Sequence, residues 1–269
     1  MTEAPTRPQS PSTKQVPPPR RTVDVLGVPI DIVTLEEAND RLLALVGTAG
    51  APHLVLTPNT DHLLRARRDP SFLALCREGS LVIADGQPVV WASALLGKRL
   101  PCRVAGSDLM PLSVVAAARQ GLRYFFLGGN PGDAEAAARI LAERAGRDGL
   151  CGVDCPPLGF EKDPQYLDGL VKAIHAAAPD IVYVGLGSPK QELLMRELRR
   201  RLSTSVLMAV GITFSFVAGT VKRAPRWMQR VGLEWAWRLC REPRRLWRRY
   251  LDNLVFFPWH VLRARLFRS

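Results

Sequence analysis

Short apolar runs alternate along the chain with stretches in which apolar residues recur at spacings of three and four. The runs are His53 to Leu56, Leu81 to Ala84, Leu122 to Leu127, Ile181 to Leu186 and Val206 to Val210, and helical patterns fill most of the gaps. Runs this short suit strands, and their near-continuous apolar character suits strands covered on both faces. The expectation is an α/β fold with a Rossmann-like, mostly parallel sheet and helices on both faces. Ahead of it, Val23 to Val33 reads as a small pair of strands around Leu26-Gly27-Val28-Pro29. Thr34 with Glu37 three residues on is a capping box, which starts a helix running to about Val46.

The two ends follow other patterns. Met1 to Arg21 has too many prolines and too few apolar residues to pack, and reads as a disordered arm. Residues 22–221 then form the α/β domain and 222–269 a basic, helical appendage. The longest uncharged run, Ser203 to Val221, carries Ser and Thr around Gly211. That suits a buried strand and turn better than a span of about 20 apolar residues, so no transmembrane helix is expected.

A chain of 269 residues with 47% hydrophobic and 23% charged positions buries a core, so disorder is local and one domain with an appendage suffices. The net charge of +12 matters because of where it lies. From Lys222 to Ser269 there are 13 Lys/Arg against 3 Asp/Glu, while Thr22 to Val221 is close to neutral. Five of the six tryptophans, Trp227, Trp235, Trp237, Trp247 and Trp259, share that basic segment. Cations interleaved with aromatic rings mark a surface for an anionic partner. Of the five cysteines, Cys151 and Cys155 form the one close pair, and no second pair or nearby histidine completes a metal site. They read as reduced thiols, and without a signal-like stretch in the arm a cytoplasmic location follows.

Ligands of open α/β sheets collect outside the carboxyl ends of the strands. Two polar motifs stand there, Thr57-Pro58-Asn59-Thr60-Asp61 and Asp85-Gly86-Gln87-Pro88. Each is open to a plain helix-capping reading and to a ligand-binding one. Asp85 is the sharper candidate, since an Asp followed by Gly at a strand end can turn its carboxylate toward a cleft. Arg103 precedes a tight turn and a helix whose expected N-cap is Ser107, a setting that suits an anionic group. Gly128-Gly129-Asn130 lacks the spacing of a dinucleotide fingerprint. In Gly185-Leu186-Gly187-Ser188-Pro189-Lys190-Gln191-Glu192, the glycines admit a ligand to the backbone and Pro189 fits a first helical turn. Gln191 can donate and accept toward a sugar or a base.

These motifs, taken in order, resemble the WecG/TagA/CpsF glycosyltransferases of cell-surface polysaccharide and teichoic-acid synthesis. The stretches that carry the resemblance are Thr57-Pro58-Asn59, Ala84-Asp85-Gly86, Arg103 with Gly106 and Asp108-Leu109, and Gly187 to Glu192. In the tail they are Ala218-Gly219, Arg223-Ala224-Pro225, Gly232-Leu233-Glu234-Trp235, Arg238-Leu239, Glu242-Pro243 and Arg249-Tyr250. One stretch departs from the pattern: the family's Gly-Val-Gly-Gly-like run followed by Phe-Asp reads here Gly211-Ile212-Thr213-Phe214-Ser215-Phe216. The resemblance implies an inverting, metal-independent transfer from a UDP-sugar donor to an undecaprenyl-diphosphate-linked acceptor, with no cofactor. The donated sugar would be N-acetylmannosamine-like, its uronic acid, or a hexose. The resemblance further implies that Asp85 is the general base and that Thr57, Asn59, Arg103 and Gln191 line the site, with Gly187 and Pro189 beside them.

That chemistry is coherent. An inverting transfer needs a carboxylate to take the acceptor hydroxyl's proton as its oxygen attacks the anomeric carbon. The departing diphosphate gains negative charge, and no Asp-x-Asp pair for a divalent ion occurs in the chain, so arginines carry that burden. In a helical tail, Arg238, Arg241, Arg245, Arg248 and Asp252 recur at spacings of three and four, and Arg249 stands beside them, as phosphate or membrane contacts. Pro243 interrupts any single helix and starts a second. Basic and aromatic residues together suit a peripheral position on the inner face of the plasma membrane, against anionic lipid. Monomer and homo-oligomer both remain open. Two other readings stand beside this one. A nucleic-acid-binding protein fits the pI of about 10.2 but leaves the strand-end motifs unexplained, and no nucleic-acid partner is expected. A nicotinamide-dependent oxidoreductase fits the sheet but lacks the glycine fingerprint.

Overall fold

A computed structural model describes residues 19–49, 52–203 and 206–267, without the side chains of residues 230, 245 and 249. The chain opens with an antiparallel hairpin, β1 (Thr22–Val25) and β2 (Val28–Asp31), joined at Leu26-Gly27. Then come α1 (Leu35–Leu45), β3 (His53–Leu56), α2 (Thr60–Arg68), α3 (Pro70–Arg77), β4 (Leu81–Val82) and α4 (Gln87–Leu95). The middle of the chain holds α5 (Gly106–Arg119), β5 (Tyr124–Gly128), α6 (Asp133–Ala145), β6 (Leu150–Asp154) and α7 (Pro164–Ala177). The main domain closes with β7 (Ile181–Gly185), α8 (Lys190–Arg201), β8 (Val206–Ala209) and α9 (Thr213–Ala218). The tail adds α10 (Arg226–Arg230), α11 (Glu234–Arg241) and α12 (Pro243–Leu266).

β3 to β8 form one parallel sheet in the order β4-β3-β8-β7-β5-β6. Its strands are apolar on both faces because both faces are covered. Leu54, Leu56, Phe125, Leu127, Val182, Val184, Leu207 and Ala209 pack into one buried cluster, and their alternates Val55, Tyr124, Phe126, Ile181, Tyr183, Val206 and Met208 into another. Successive side chains of a strand point to opposite faces, so the run of apolar residues is what a three-layer sandwich requires. The first cluster takes in the hairpin, α3, α4, α7 and α8; the second takes in α1, α5 and α6. β6 is absent from the apolar runs of the sequence because it lies at the sheet edge, half-buried throughout, with a glycine and an aspartate among its five residues.

Local signals set several boundaries. Thr34 and Glu37 close the expected capping box at the start of α1. Ser107, expected as the N-cap of α5, lies inside its first turn; the helix begins at Gly106, where Asp108 N and Leu109 N both donate to Ala105 O at 3.0 Å. Arg20, read above as part of an unpacked arm, forks onto the buried Asp31 at 3.0 and 2.7 Å and donates to Gly79 O. Asp31 also accepts from Val82 N at 2.7 Å, so this carboxylate ties the chain's entry, the hairpin and β4 together. Residues 1–18 of the expected arm lie outside the described residues.

The tail splits at Pro243 as its sequence implies, with Pro243 in the first turn of α12. α12 buries Leu246, Phe257 and Val261, and the last two join the cluster of the hairpin, α3 and α4. Among the described residues, no helix is long and apolar enough to cross a membrane.

Candidate active site

The sheet edge brings Asp85 out at its carboxyl end. Beyond the last paired strand residues, Ile83 N donates to Leu56 O at 2.9 Å and Asp85 N to Pro58 O at 3.0 Å. The two chains therefore run side by side until Asp85 emerges next to Thr57-Pro58-Asn59. Gly86, with φ of +134°, then turns the backbone into α4, a conformation that a side chain would disfavour. On the other side Val104 N donates to Ala84 O at 3.0 Å, which draws Arg103 alongside. Burial raises the Asp85 carboxyl to about 6; Arg103 and His62 work against the rise, and Glu234 and Asp108 add to it. A carboxylate with that proton affinity is ionised at neutral pH and still basic enough to take a proton.

Around Asp85 lies a closed ring of charges that sequence reasoning did not assemble. Arg103 donates to Asp108 at 3.0 Å and to Glu234 at 3.3 Å. Arg223 donates to the same two carboxylates, to Asp108 at 2.5 and 3.2 Å and to Glu234 at 3.1 Å. Two guanidiniums and two carboxylates thus alternate, each partly buried, and the ring is neutral as a whole. It ties the Arg103 loop and the first turn of α5 to Arg223 and the first turn of α11. The tail is closed over the site here. Arg103, Asp108, Arg223 and Glu234 all sit in motifs visible in the sequence, but their pairing spans up to 131 residues.

The other expected site residues divide by what their polar atoms do. Thr57 is buried, its side chain against Gly106 at the start of α5. Asn59 is the N-cap of α2, its Oδ1 accepting from Asp61 N at 3.0 Å and His62 N at 3.3 Å, so the capping reading of this motif holds. Gln191 is buried; its Oε1 accepts from Gly211 N at 3.0 Å and its Nε2 donates to Glu192 Oε1 at 2.7 Å. It therefore braces the loop after β8 against α8. Pro189 follows a cis peptide bond and immediately precedes α8, and a side chain at Gly187 would meet open space.

His62 and Glu192 are a buried pair absent from the sequence reading. His62 Nε2 lies 3.1 Å from Glu192 Oε1, and its Nδ1 lies 2.8 Å from Asn59 Oδ1. Burial works against the Glu192 carboxylate, yet the hydrogen bond and charge of His62, and then the hydrogen bond from Gln191, outweigh it and hold its pKa below the ordinary value. The pair joins α2 to α8 beneath the site.

A second carboxylate, Asp133, lies at the start of α6, after the turn that follows β5. It accepts from Ser215, from Thr220 at 2.8 Å and from Asn130 at 2.9 Å. Burial opposes its charge, but those three bonds prevail and its pKa is lowered. Ser215 lies in the stretch Gly211 to Phe216 that departs from the family pattern, and Asp133 sets a carboxylate against it from α6.

The tail arginines are more scattered than a single stripe. Arg238 and Arg241 lie on α11 and Arg248 on α12, with the break at Glu242 between them. Arg241 stacks over Trp237 at 4.8 Å and Arg248 over Trp247 at 5.2 Å. The side chains of Arg245 and Arg249 lie outside the described residues. The five cysteines are unpaired. Among the described residues, no three His, Cys, Asp or Glu side chains converge as a metal site.

The order of these motifs, the sheet that gathers them and the tail clamped over them can be compared with known families. The model of the glycosyl transferase WecG/TagA/CpsF family matches residues 23–269, from β1 through the whole tail. The transfer reading therefore prevails over the oxidoreductase and nucleic-acid readings, and the chain belongs to this family of glycosyltransferases, which points to cell-surface polymer synthesis.

Proposed function

We propose that this enzyme transfers a sugar, N-acetylmannosamine-like, its uronic acid or a hexose, from a UDP-sugar to an undecaprenyl-diphosphate-linked acceptor, with inversion and without a metal or cofactor. Asp85 takes the proton of the acceptor hydroxyl as that oxygen bonds to the anomeric carbon. The bond from that carbon to the UDP oxygen breaks, and UDP leaves with the electron pair. Asp85 supports this reading most: a carboxyl at the sheet's carboxyl edge, raised to about 6, has the proton affinity the step asks for.

Thr57 and Arg103 border Asp85, and Gly187 leaves room at the adjacent loop. Arg103 and Arg223 are already neutralised by Asp108 and Glu234. The leaving diphosphate then draws on the tail arginines Arg238, Arg241, Arg245, Arg248 and Arg249. The outward face of α12 supports a position against anionic lipid at the inner face of the plasma membrane. Beside and opposite its buried residues it exposes Trp247, Leu251, Leu254, Val255, Trp259, Leu262 and Leu266, interleaved with arginines.

The test is turnover of a panel of UDP-sugars with a short-chain lipid-diphosphate-sugar acceptor in excess EDTA. Transfer with inverted stereochemistry at the anomeric carbon is expected from the purified protein. Turnover that appears only on adding magnesium or manganese overturns the metal-free mechanism, and retention of configuration overturns the role of Asp85.

A further inference from the structure

Where the end of α12 passes the β1–β2 turn and the end of α2, a cavity of about 330 Å³ opens away from Asp85. Arg67 of α2 and His260 and Arg263 of α12 line it, together with the apolar Leu26, Leu96 and Phe267. Arg68 stands beside it, its guanidinium 5.6 Å from the Phe256 ring. Among the described residues, no carboxylate lies within ion-pair reach of Arg67, Arg68 or Arg263. The acid on the cavity wall, Asp24, accepts from Gly27 N at 2.8 Å. Burial, and then the charges of Arg67, Arg68 and Arg263, hold the His260 pKa below the ordinary value. Three cations therefore crowd one imidazole, and the one carboxylate among the described lining residues, Asp24, is held by the Gly27 N–H and forms no ion pair with them.

Charges gathered this way at a concave site fit an anion. The apolar side of the cavity narrows the choice. Phe267 and neighbouring Leu266 are each 78% exposed at its mouth, and the exposed apolar face of α12 continues from them. A free phosphate would match the guanidiniums and leave that hydrocarbon in water. We propose that the cavity seats the phosphate of an anionic phospholipid headgroup, with Arg67 and Arg263 as its charged contacts, His260 as a neutral hydrogen-bond partner, and the acyl chains running out past Phe267. Guanidinium suits phosphate because its planar donors can bond two oxygens at once. A zwitterionic headgroup would bring a further cation into an already cationic site. The proposal rests on the reading that α12 lies against a membrane, and adds a defined lipid site to it.

The test uses the full chain and short-chain phosphatidylglycerol below its micelle concentration, with the His260 ring resonances as the local report. Saturable shifts of His260 are expected, with short-chain phosphatidylcholine and inorganic phosphate each binding about tenfold or more weakly. Arg67→Gln and Arg263→Gln should each weaken the phosphatidylglycerol response by a similar factor. Arg226→Gln on α10 and Arg244→Gln on α12 remove equal charge from exposed positions of the tail outside the cavity and should leave it unchanged. Binding to equimolar phosphatidylcholine and phosphatidylglycerol vesicles should fall in all four variants, by on the order of fivefold for the generic loss of one surface charge. It should fall further in the cavity pair. Equal losses in all four variants on both probes, or inorganic phosphate binding as tightly as the lipid, overturn the headgroup site. Vesicle binding without a His260 response overturns the site and leaves the membrane reading standing. A saturable His260 response without vesicle binding does the reverse.

Discussion

Arg103 donates to Glu234 across 131 residues of sequence, at 3.3 Å, so the loop that flanks Asp85 and the first turn of α11 share one ion pair. Glu234 also raises the Asp85 carboxyl, while Arg103 lowers it. Glu234→Gln removes the negative charge and leaves Arg103 less compensated, and both effects favour ionised Asp85. The acidic limb of the kcat/KM profile, expected near pH 6 in the parent, should move to lower pH. Arg103→Gln should move it to higher pH. A pH–rate series on the three proteins checks the signs, and shifts in one common direction would remove the ring from control of the base.

Asp85→Asn keeps the shape and loses the proton acceptor, so transfer should fall by about 10²–10⁴-fold while UDP binding persists. The same substitution should stabilise the fold at neutral pH. A carboxyl whose folded pKa is raised to about 6 from 3.8 favours the folded state only while protonated, so its stabilisation is lost as pH rises between those values. Thermal melts of both proteins at pH 4 and pH 8 should therefore show the variant gaining relative to the parent only at the higher pH.

Gly232 holds the tail's approach to α4. Its φ is +76°, and a Cβ there would lie 2.7 Å from Gln87 Cβ, the first residue of α4 after Asp85-Gly86. Gly232→Val should lift α11 from the site, cut transfer at least tenfold, and speed proteolysis between α9 and α12. The circular dichroism of the sheet domain should stay unchanged. The expected activity loss follows from the strong sensitivity of catalysis to small displacements.

Ser215 and Asp133 make a charge-sensitive pair. Ser215→Ala removes one donor from a buried carboxylate and should cost about 1–3 kcal/mol of stability. Ser215→Asp restores the Phe-Asp pattern but sets two carboxylates against each other, so it should cost more. Adding Asp133→Asn should recover most of that loss. Denaturant unfolding of the three variants measures it, and equal costs for Ala and Asp would show that Asp133 does not sense charge at position 215.

Much of the fold was legible because its signals are local. The capping box at Thr34 and Glu37, the turn at Leu26-Gly27 and the helix start at Pro243 each need only residues within one turn of each other. The place of Asp85 at the sheet's carboxyl edge was legible for a similar reason: a strand end followed by glycine is visible in four residues. The edge strand β6 was not, since a half-buried strand has no continuous apolar run to show. Asn59 and Gln191 look like ligand contacts in sequence; that Asn59 Oδ1 also caps α2 and Gln191 Oε1 braces the loop after β8 is visible only in the fold.

By itself the sequence determined most of the elements, the doubly covered sheet, the edge at which the polar motifs gather and the separation of a neutral core from a basic, aromatic tail. These follow from periodicity, turn chemistry and composition, which act over a few residues or over whole segments. Only the tertiary structure decided which charges meet. Arg103, Asp108, Arg223 and Glu234 form a ring, His62 meets Glu192, and Asp133 meets Ser215. The physical reason is range: an ion pair or hydrogen bond acts over a few ångströms, and folding sets that distance independently of separation along the chain.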